Sequence, residues 1–487
     1  MKKAETRRAA RTVLVLIFLI LTPCMVFSKT AEELDFDPLV FKPPVPLVRR
    51  LSTGIPVYLL EDHELPLFTL KILITEGSLL EPSDKSGLFS ITADSMRTGG
   101  TALMSPEEVD YTLESMAATI EIGFDRELGI ATLETRAEDI EHGLDLFMEI
   151  LENPAFRQDR VELIKMREAE NIRRRNENPF NTAWRFFTSR LYGEHHPMGI
   201  HPSVDSVTSI SRDDLEWAHS LLFNPRNILV TASGDFEEEG LLEILENRFS
   251  GWNTNHLPRP PLPELEDISG GITVVHVRKE LTQSTILMGS LGLKRTPLHP
   301  DAFSLRVMNE ILGESSFTSR LYREVREKRG LAYSVGSSFD LTSFIYPGTW
   351  FAYAQTRSDS TVATAMLMID TIRDMGEQPV PETELASVKD SIINSFVFGF
   401  DSRATIALRH GLLDFRGYPA DYLERYTERI SEVTAEEVRE AAYRYLDTQN
   451  LLVVVVGWDE DFDLPLSEIG NVIEVDPDEA VPSAVLP

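Results

Sequence analysis

The chain has 487 residues, 42% of them hydrophobic, with 47 basic against 78 acidic side chains and a formal net charge of −31. That apolar content suits globular domains with cores of their own rather than a disordered chain, and the length allows roughly three domains of ordinary size. So acidic a surface repels nucleic-acid phosphate and anionic lipid, which excludes both as expected partners, and one cysteine, Cys24, excludes a disulfide framework.

At the amino terminus, Lys2, Lys3, Arg7, Arg8 and Arg11 precede an apolar run over residues 13–21 and then "TPCMVFS". This order of basic, apolar and small residues predicts a signal peptide over residues 1–28, cleaved near Ser28, and hence a periplasmic or otherwise exported protein. The run is short of the ~20 residues that span a bilayer, so an uncleaved anchor is the weaker alternative. Lipid attachment at Cys24 is a second alternative, disfavoured by Pro23 before it. Loss of residues 1–28 removes five basic residues and Glu5, taking the net charge to −35 and leaving no cysteine. Residues 29–47 then form an N-terminal extension.

A repeat follows. "SISRDDLEWAHSLLFNPRNILVTASGD", from Ser209, and "EVTAEEVREAAYRYLDTQNLLVVVVGWD", from Glu432, carry the same features at an offset of 223. Ser211 matches Thr434, Asp214 matches Glu437, Ala218 matches Ala441, Asn227 matches Asn450 and Gly234 matches Gly457. Each copy predicts a helix opened by a capping box and then a buried strand ending in Gly. Between the copies, residues 255–271 hold four prolines and close on Gly-Gly, a composition that suits an extended linker.

The expected fold is therefore α+β, with two homologous lobes, each a mainly antiparallel sheet covered by helices. The first lobe, residues 48–254, opens with strands "VYLLED" and "LFTLKILITEGS", followed by helices around 86–97, 106–117, 136–151 and 157–176. The second, residues 272–470, opens with "GITVVHVRK" and "STILMGSLG", followed by helices around 300–312, 317–328 and 359–375. Residues 471–487 read as a loose acidic tail. The acidic run at 237–246 reads as a solvated helix face.

"SRLYREVREKRGLAYSV", residues 319–335, is a basic cluster in an acidic chain. It predicts a helix carrying Arg320, Arg323 and Arg326, a left-handed end at Gly330, and a strand beginning at Tyr333. Such a cluster is either a solvated helix face beside a core tyrosine, or a site. In the second case Arg326 grips a carbonyl or carboxylate and the Tyr333 hydroxyl bonds a developing oxyanion.

That segment, the doubled lobe and the Pro-rich hinge together resemble the pitrilysin/insulinase family of zinc peptidases in its two-lobe bacterial form, over roughly residues 48–475. "LSTGIPVYLLEDHELP", "EGSLLEPSDKSGL" and "RLYGEHHPMG" resemble further segments of that family. The resemblance implies a substrate-binding role for Arg326 and Tyr333. Active members carry H-x-x-E-H on a helix after a Gly-Leu pair, two histidines binding Zn²⁺ and the glutamate polarising its water. In register, those positions are Ser90, Ala93 and Asp94 here, inside "GLFSITADSMRTGG". The third ligand falls at Asn171, with Glu170 one residue away. None of the first three can do the original work, and no metal is expected in this chain. "HHPMGIH", with His195, His196 and His201, has the look of a loop rather than of a metal site, and no G-x-S-x-G serine elbow is present.

The resemblance thus implies a zinc-free, substrate-binding subunit of an exported heterodimeric metallopeptidase. The chain would supply Arg326, Tyr333 and chamber wall, and a homologous partner would supply zinc and the general base for hydrolysis of a peptide substrate. A non-catalytic, chaperone-like peptide-binding module and an enzyme with a rebuilt site of its own are the alternatives.

Overall fold

Two six-stranded sheets organise the chain, and the same pattern of apolar residues builds both. A computed structural model describes residues 41–252, 260–265, 270–315 and 317–477. The expected signal peptide and residues 478–487 lie outside them, as does much of the linker. Pro260 to Leu265 and Gly270 to Gly271, the linker residues described, carry no helix or strand.

The first half contains β1 (Leu47–Arg50), β2 (Pro56–Glu61), β3 (Leu67–Ile74), α1 (Leu88–Thr98), α2 (Pro106–Ser115), β4 (Thr119–Phe124) and β5 (Gly129–Arg136). It continues with α3 (Ile140–Glu152), α4 (Gln158–Arg174), α5 (Pro179–Tyr192), α6 (Val204–Thr208), α7 (Arg212–Leu222), β6 (Ile228–Gly234) and α8 (Glu238–Phe249). The second half contains β7 (Thr273–Arg278), β8 (Gln283–Leu291), α9 (Ala302–Asn309), β9 (Ala332–Phe339), β10 (Thr349–Arg357) and α10 (Thr361–Glu377). It ends with α11 (Glu382–Ser395), α12 (Arg403–Phe415), α13 (Tyr422–Glu432), α14 (Ala435–Tyr445), β11 (Leu452–Gly457) and β12 (Asn471–Val475).

The sheet orders are β1-β2-β6-β3-β5-β4 and β12-β7-β11-β8-β10-β9. In each, the late strand of the repeat, β6 or β11, is inserted at the centre, parallel to one neighbour and antiparallel to the other. Both capping boxes form as the sequence predicts: Ser211 with Asp214 before α7, and Thr434 with Glu437 before α14. The two sheets differ at one edge. β1 pairs antiparallel with β2, whereas the equivalent place in the second sheet is taken by β12, parallel to β7. Residues 471–475 are thus a strand and not part of a loose tail. Val475 is buried, so apolar contact outweighs the acidic composition that suggested a solvated end.

Helices cover one face of each sheet to make the two main cores, one centred on Leu70, Ile72 and Phe89, the other on Met288, Ala352 and Val455. The opposite faces are covered by exchange. α5, from the first half, lays Ala183, Phe186 and Phe187 on Val275, Val277 and Val454 of the second sheet. α12, from the second half, lies on Tyr58, Leu73 and Leu229 of the first sheet. Gly411 permits that approach, because a Cβ there would stand 2.9 Å from Leu229 Cδ1. Neither α5 nor α12 was expected from the apolar periodicity. The start of α5 is nevertheless written in Asn178-Pro179, where the Asn178 side chain accepts from the N–H groups of Phe180 and Asn181.

Candidate functional site

The helix "LFSITADSMRT", α1, buries Leu88, Phe89, Ile91, Ala93 and Met96. Its N-terminus is held by Glu81, whose buried carboxylate accepts from Gly87 N at 3.0 Å and Phe89 N at 2.6 Å. Burial pushes that carboxyl up to about 7, against the pull of the two N–H groups and the Arg126 guanidinium. Ser90 and Asp94, one turn apart, are exposed together on the open side of α1, while Ala93 is buried.

α4 packs against α1. Asn171 on α4 is exposed and donates from Nδ2 to Glu168 at 3.2 Å, while Glu170 pairs with Arg173 at 3.4 Å. The charge that reaches Asp94 from α4 is positive: partial burial raises the Asp94 carboxyl and Arg167 opposes the rise. A hydroxyl, a methyl, one carboxylate and an amide, with a guanidinium close by, do not fit a zinc ion, which needs at least three good N, O or S ligands.

The histidines of "HHPMGIH" diverge. His196 is buried against Tyr192 and Tyr346, with ring centroids 6.0 and 4.3 Å away. His201 Nε2 lies 2.7 Å from Thr188 Oγ1. Among the described residues, the ligand atoms that converge within 4.8 Å are those of His276, Asp459 and Glu474, on the second sheet. Asp459 there already faces Arg278 at 2.8 Å.

In the second lobe the basic helix takes a wider form than expected, with π-helical turns over Tyr322–Glu327. It ends at Gly330, φ +62°, where Leu331 N donates to Val325 O at 2.9 Å, closing the left-handed end that the sequence predicts. The three arginines then part ways. Arg320 and Arg323 both pair with Glu384 on α11, at 2.7 and 2.6 Å. Arg326 has no carboxylate partner among the described residues. Its guanidinium carbon sits 5.0 Å from the Tyr322 ring centroid and 4.6 Å from that of Tyr333, and Nη1 donates to Tyr333 O at 2.8 Å. Tyr333, near the start of edge strand β9, is 79% exposed. The arrangement is a preorganised cation beside an open phenol, suited to an oxygen that carries negative charge. Glu384 and Tyr322 escaped the sequence reading. Tyr322 is four residues from Arg326, a helical spacing that could have found it. No hydrogen bond, ion pair or ring contact joins Arg326 or Tyr333 to Ser90, Asp94 or Asn171 among the described residues.

Residues 57–196 match the family pattern described as "Insulinase (Peptidase family M16)", and residues 209–392 match that described as "Peptidase M16 inactive domain". The chain belongs to peptidase family M16. An uncharacterized zinc protease of Mycobacterium tuberculosis is 27% identical to this M16 chain over 324 residues, 66% of this chain and 72% of that one. The solved peptidase M16 inactive domain from Pseudomonas fluorescens is 25% identical, with a TM-score of 0.74 over 85% of this chain and 98% of that one. The periplasmic protease PqqL of Escherichia coli shares the fold at 15% identity, with a TM-score of 0.73 over 87% of this chain but only 47% of that one. The M16 chain therefore has the fold of about half of a longer protease.

Proposed function

We propose that this M16 chain is the zinc-free, substrate-binding subunit of an exported heterodimeric metallopeptidase. A homologous partner contributes the zinc ion and the general base, and this chain contributes Arg326, Tyr333 and part of the chamber wall. The observation that carries this reading is Arg326 itself. Glu384 pairs with both Arg320 and Arg323, whereas Arg326 has no carboxylate partner among the described residues and stacks beside exposed Tyr333. A cation so placed can hold a peptide carbonyl as negative charge develops on its oxygen.

The likeness to about half of PqqL favours a division of labour, since a longer chain can hold in one molecule what two shorter chains hold as a pair. The name zinc protease given to the mycobacterial relative applies here only through such a partner, because the α1 residues cannot ligate zinc. The test is reconstitution: the chain is mixed with a zinc-bearing M16 homologue and assayed on a fluorogenic peptide. Activity should need both chains and should fall with Arg326→Ala and with Tyr333→Phe. A complex that keeps full activity with both substitutions would overturn the reading. A complex that binds peptide without hydrolysing it would assign the chain to a chaperone-like role instead.

A further inference from the structure

Between the β8–α9 connection and the first turn of α13 lies a cleft of about 280 Å³. Its walls include Pro297, Leu298, Phe303 and Pro419, and Arg295 lines it from the inside. Arg295 is 6% exposed. Its Nε donates to the Tyr418 hydroxyl at 2.9 Å and its Nη2 to the Tyr422 hydroxyl at 3.2 Å. Both partners are neutral. Nη1 is buried with no acceptor, and no carboxylate pairs with Arg295 among the described residues.

The other charges around the cleft are accounted for. Arg425 is shared between Asp421 at 4.0 Å and Glu428 at 3.2 Å, and Arg429 faces Glu432 at 3.5 Å. Asp421, the one carboxylate on the lining, is thus turned to Arg425. Burial lowers His299, which keeps it neutral near pH 7. The N-terminus of α13 adds its partial positive charge at Tyr422. Arg295 is left as a buried cation without a counter-ion, inside a protein of net charge −31. Withdrawing a guanidinium from water costs several kcal/mol unless an anion compensates it, and an orphaned donor adds to that cost. The unmet charge and the unmet donor belong to the same side chain, one of those that line this largely apolar cleft.

We propose that this cleft binds a carboxylate carried on an apolar group, the chemistry of a peptide C-terminus ending in Leu or Phe or of a small apolar acid. The carboxylate meets Arg295 and the apolar part packs on Leu298 and Phe303. One guanidinium and apolar walls suit a carboxylate better than a phosphate, which needs a ring of donors.

The experiment uses the purified full chain and fluorescence anisotropy with a labelled peptide ending in Phe, as the free acid and as the C-terminal amide. The acid should bind at least tenfold more tightly than the amide. Leu298→Asp, at a position 74% exposed, should weaken acid binding at least tenfold without lowering the melting temperature. Arg295→Gln should abolish the preference for the acid. Competition by N-acetylphenylalanine separates the sources: equal affinity assigns the site to small acids, and much weaker competition assigns it to peptide termini. Equal binding of acid and amide, no binding of either, or unchanged binding by Leu298→Asp would each overturn the proposal. The isolated chain suffices, so the outcome does not depend on the partner proposed above.

Discussion

Glu127, in the turn between β4 and β5, accepts a hydrogen bond from the backbone N–H of Phe344 in the other lobe at 2.9 Å. The same carboxylate accepts from Ile345 N at 2.9 Å and pairs with Arg416 at 3.3 Å, both of these side chains being largely buried. Arg416 in turn stacks on the Phe344 ring at 4.1 Å and donates to Thr342 O at 2.7 Å. One acid therefore ties the first lobe to a second-lobe loop and to the end of α12. Glu127→Ala leaves Arg416 without its carboxylate and two amides without their acceptor, and removing one partner of a buried ion pair costs about 3 kcal/mol or more. Chemical denaturation should report a loss of that size. A change below 0.5 kcal/mol would show that the clasp is dispensable.

Arg326→Lys separates shape from charge. Lysine keeps the cation but loses the planar group that stacks on Tyr322 and Tyr333. In the reconstituted peptidase assay the expected loss is about 100-fold in kcat, the scale of a lost oxyanion donor, with melting temperature unchanged. Arg323→Lys, whose role is to pair with Glu384, should leave the rate within about threefold.

His201 gives the fold a pH dependence of definite sign. Burial and the fields of Arg126, Arg185 and Arg175 push it from 6.5 to about 3. The unfolded chain therefore takes up a proton below pH 6.5 that the folded chain refuses. The stabilising contribution is complete above pH 6.5 and is lost as the pH falls from there towards 3, with a slope of up to about 1.4 kcal/mol per pH unit. His201→Gln should flatten the stability profile between pH 6 and 4, measured by urea denaturation. An unchanged slope would refute the assignment.

The exchange of α5 can be weighed at Phe187, fully buried among residues of the second sheet. Phe187→Ala should cost about 3–5 kcal/mol, as for other large cavities. Hydrogen exchange should show protection falling in β7 and β11 as well as in α5, although Phe187 precedes β7 by more than eighty residues. Loss confined to α5 would mean that the helix is only loosely docked.

What could be read in the sequence was what a local period or cap records. The 223-residue repeat, the two capping boxes and the stripe of α1 are all visible in short windows, and α1 runs over Leu88–Thr98 against an expected 86–97. The exchange of α5 and α12 was not legible, because an apolar stripe marks a buried face but no local signal names the sheet it covers. At the site, the residue types of α1, including Ser90, Ala93 and Asp94, are read directly from the sequence. The separation of Arg326 from Arg320 and Arg323 needed Glu384, some sixty residues further on, and so needed the fold. β12 was misread because the acidic residues around Val475 carry more weight in composition than one buried side chain.

The crossed helices also bear on what happens when the chain is cut. A protease acting between the repeats would free neither half, since each would still have one of its helices docked across the other's sheet. Val275, Val277 and Val454 would be bared only if α5 were torn away. Nicked protein should thus behave as a fragment complementation pair, co-migrating as one particle in native buffer and parting only in denaturant. Either half synthesised alone would present an uncovered apolar sheet and would be expected to aggregate.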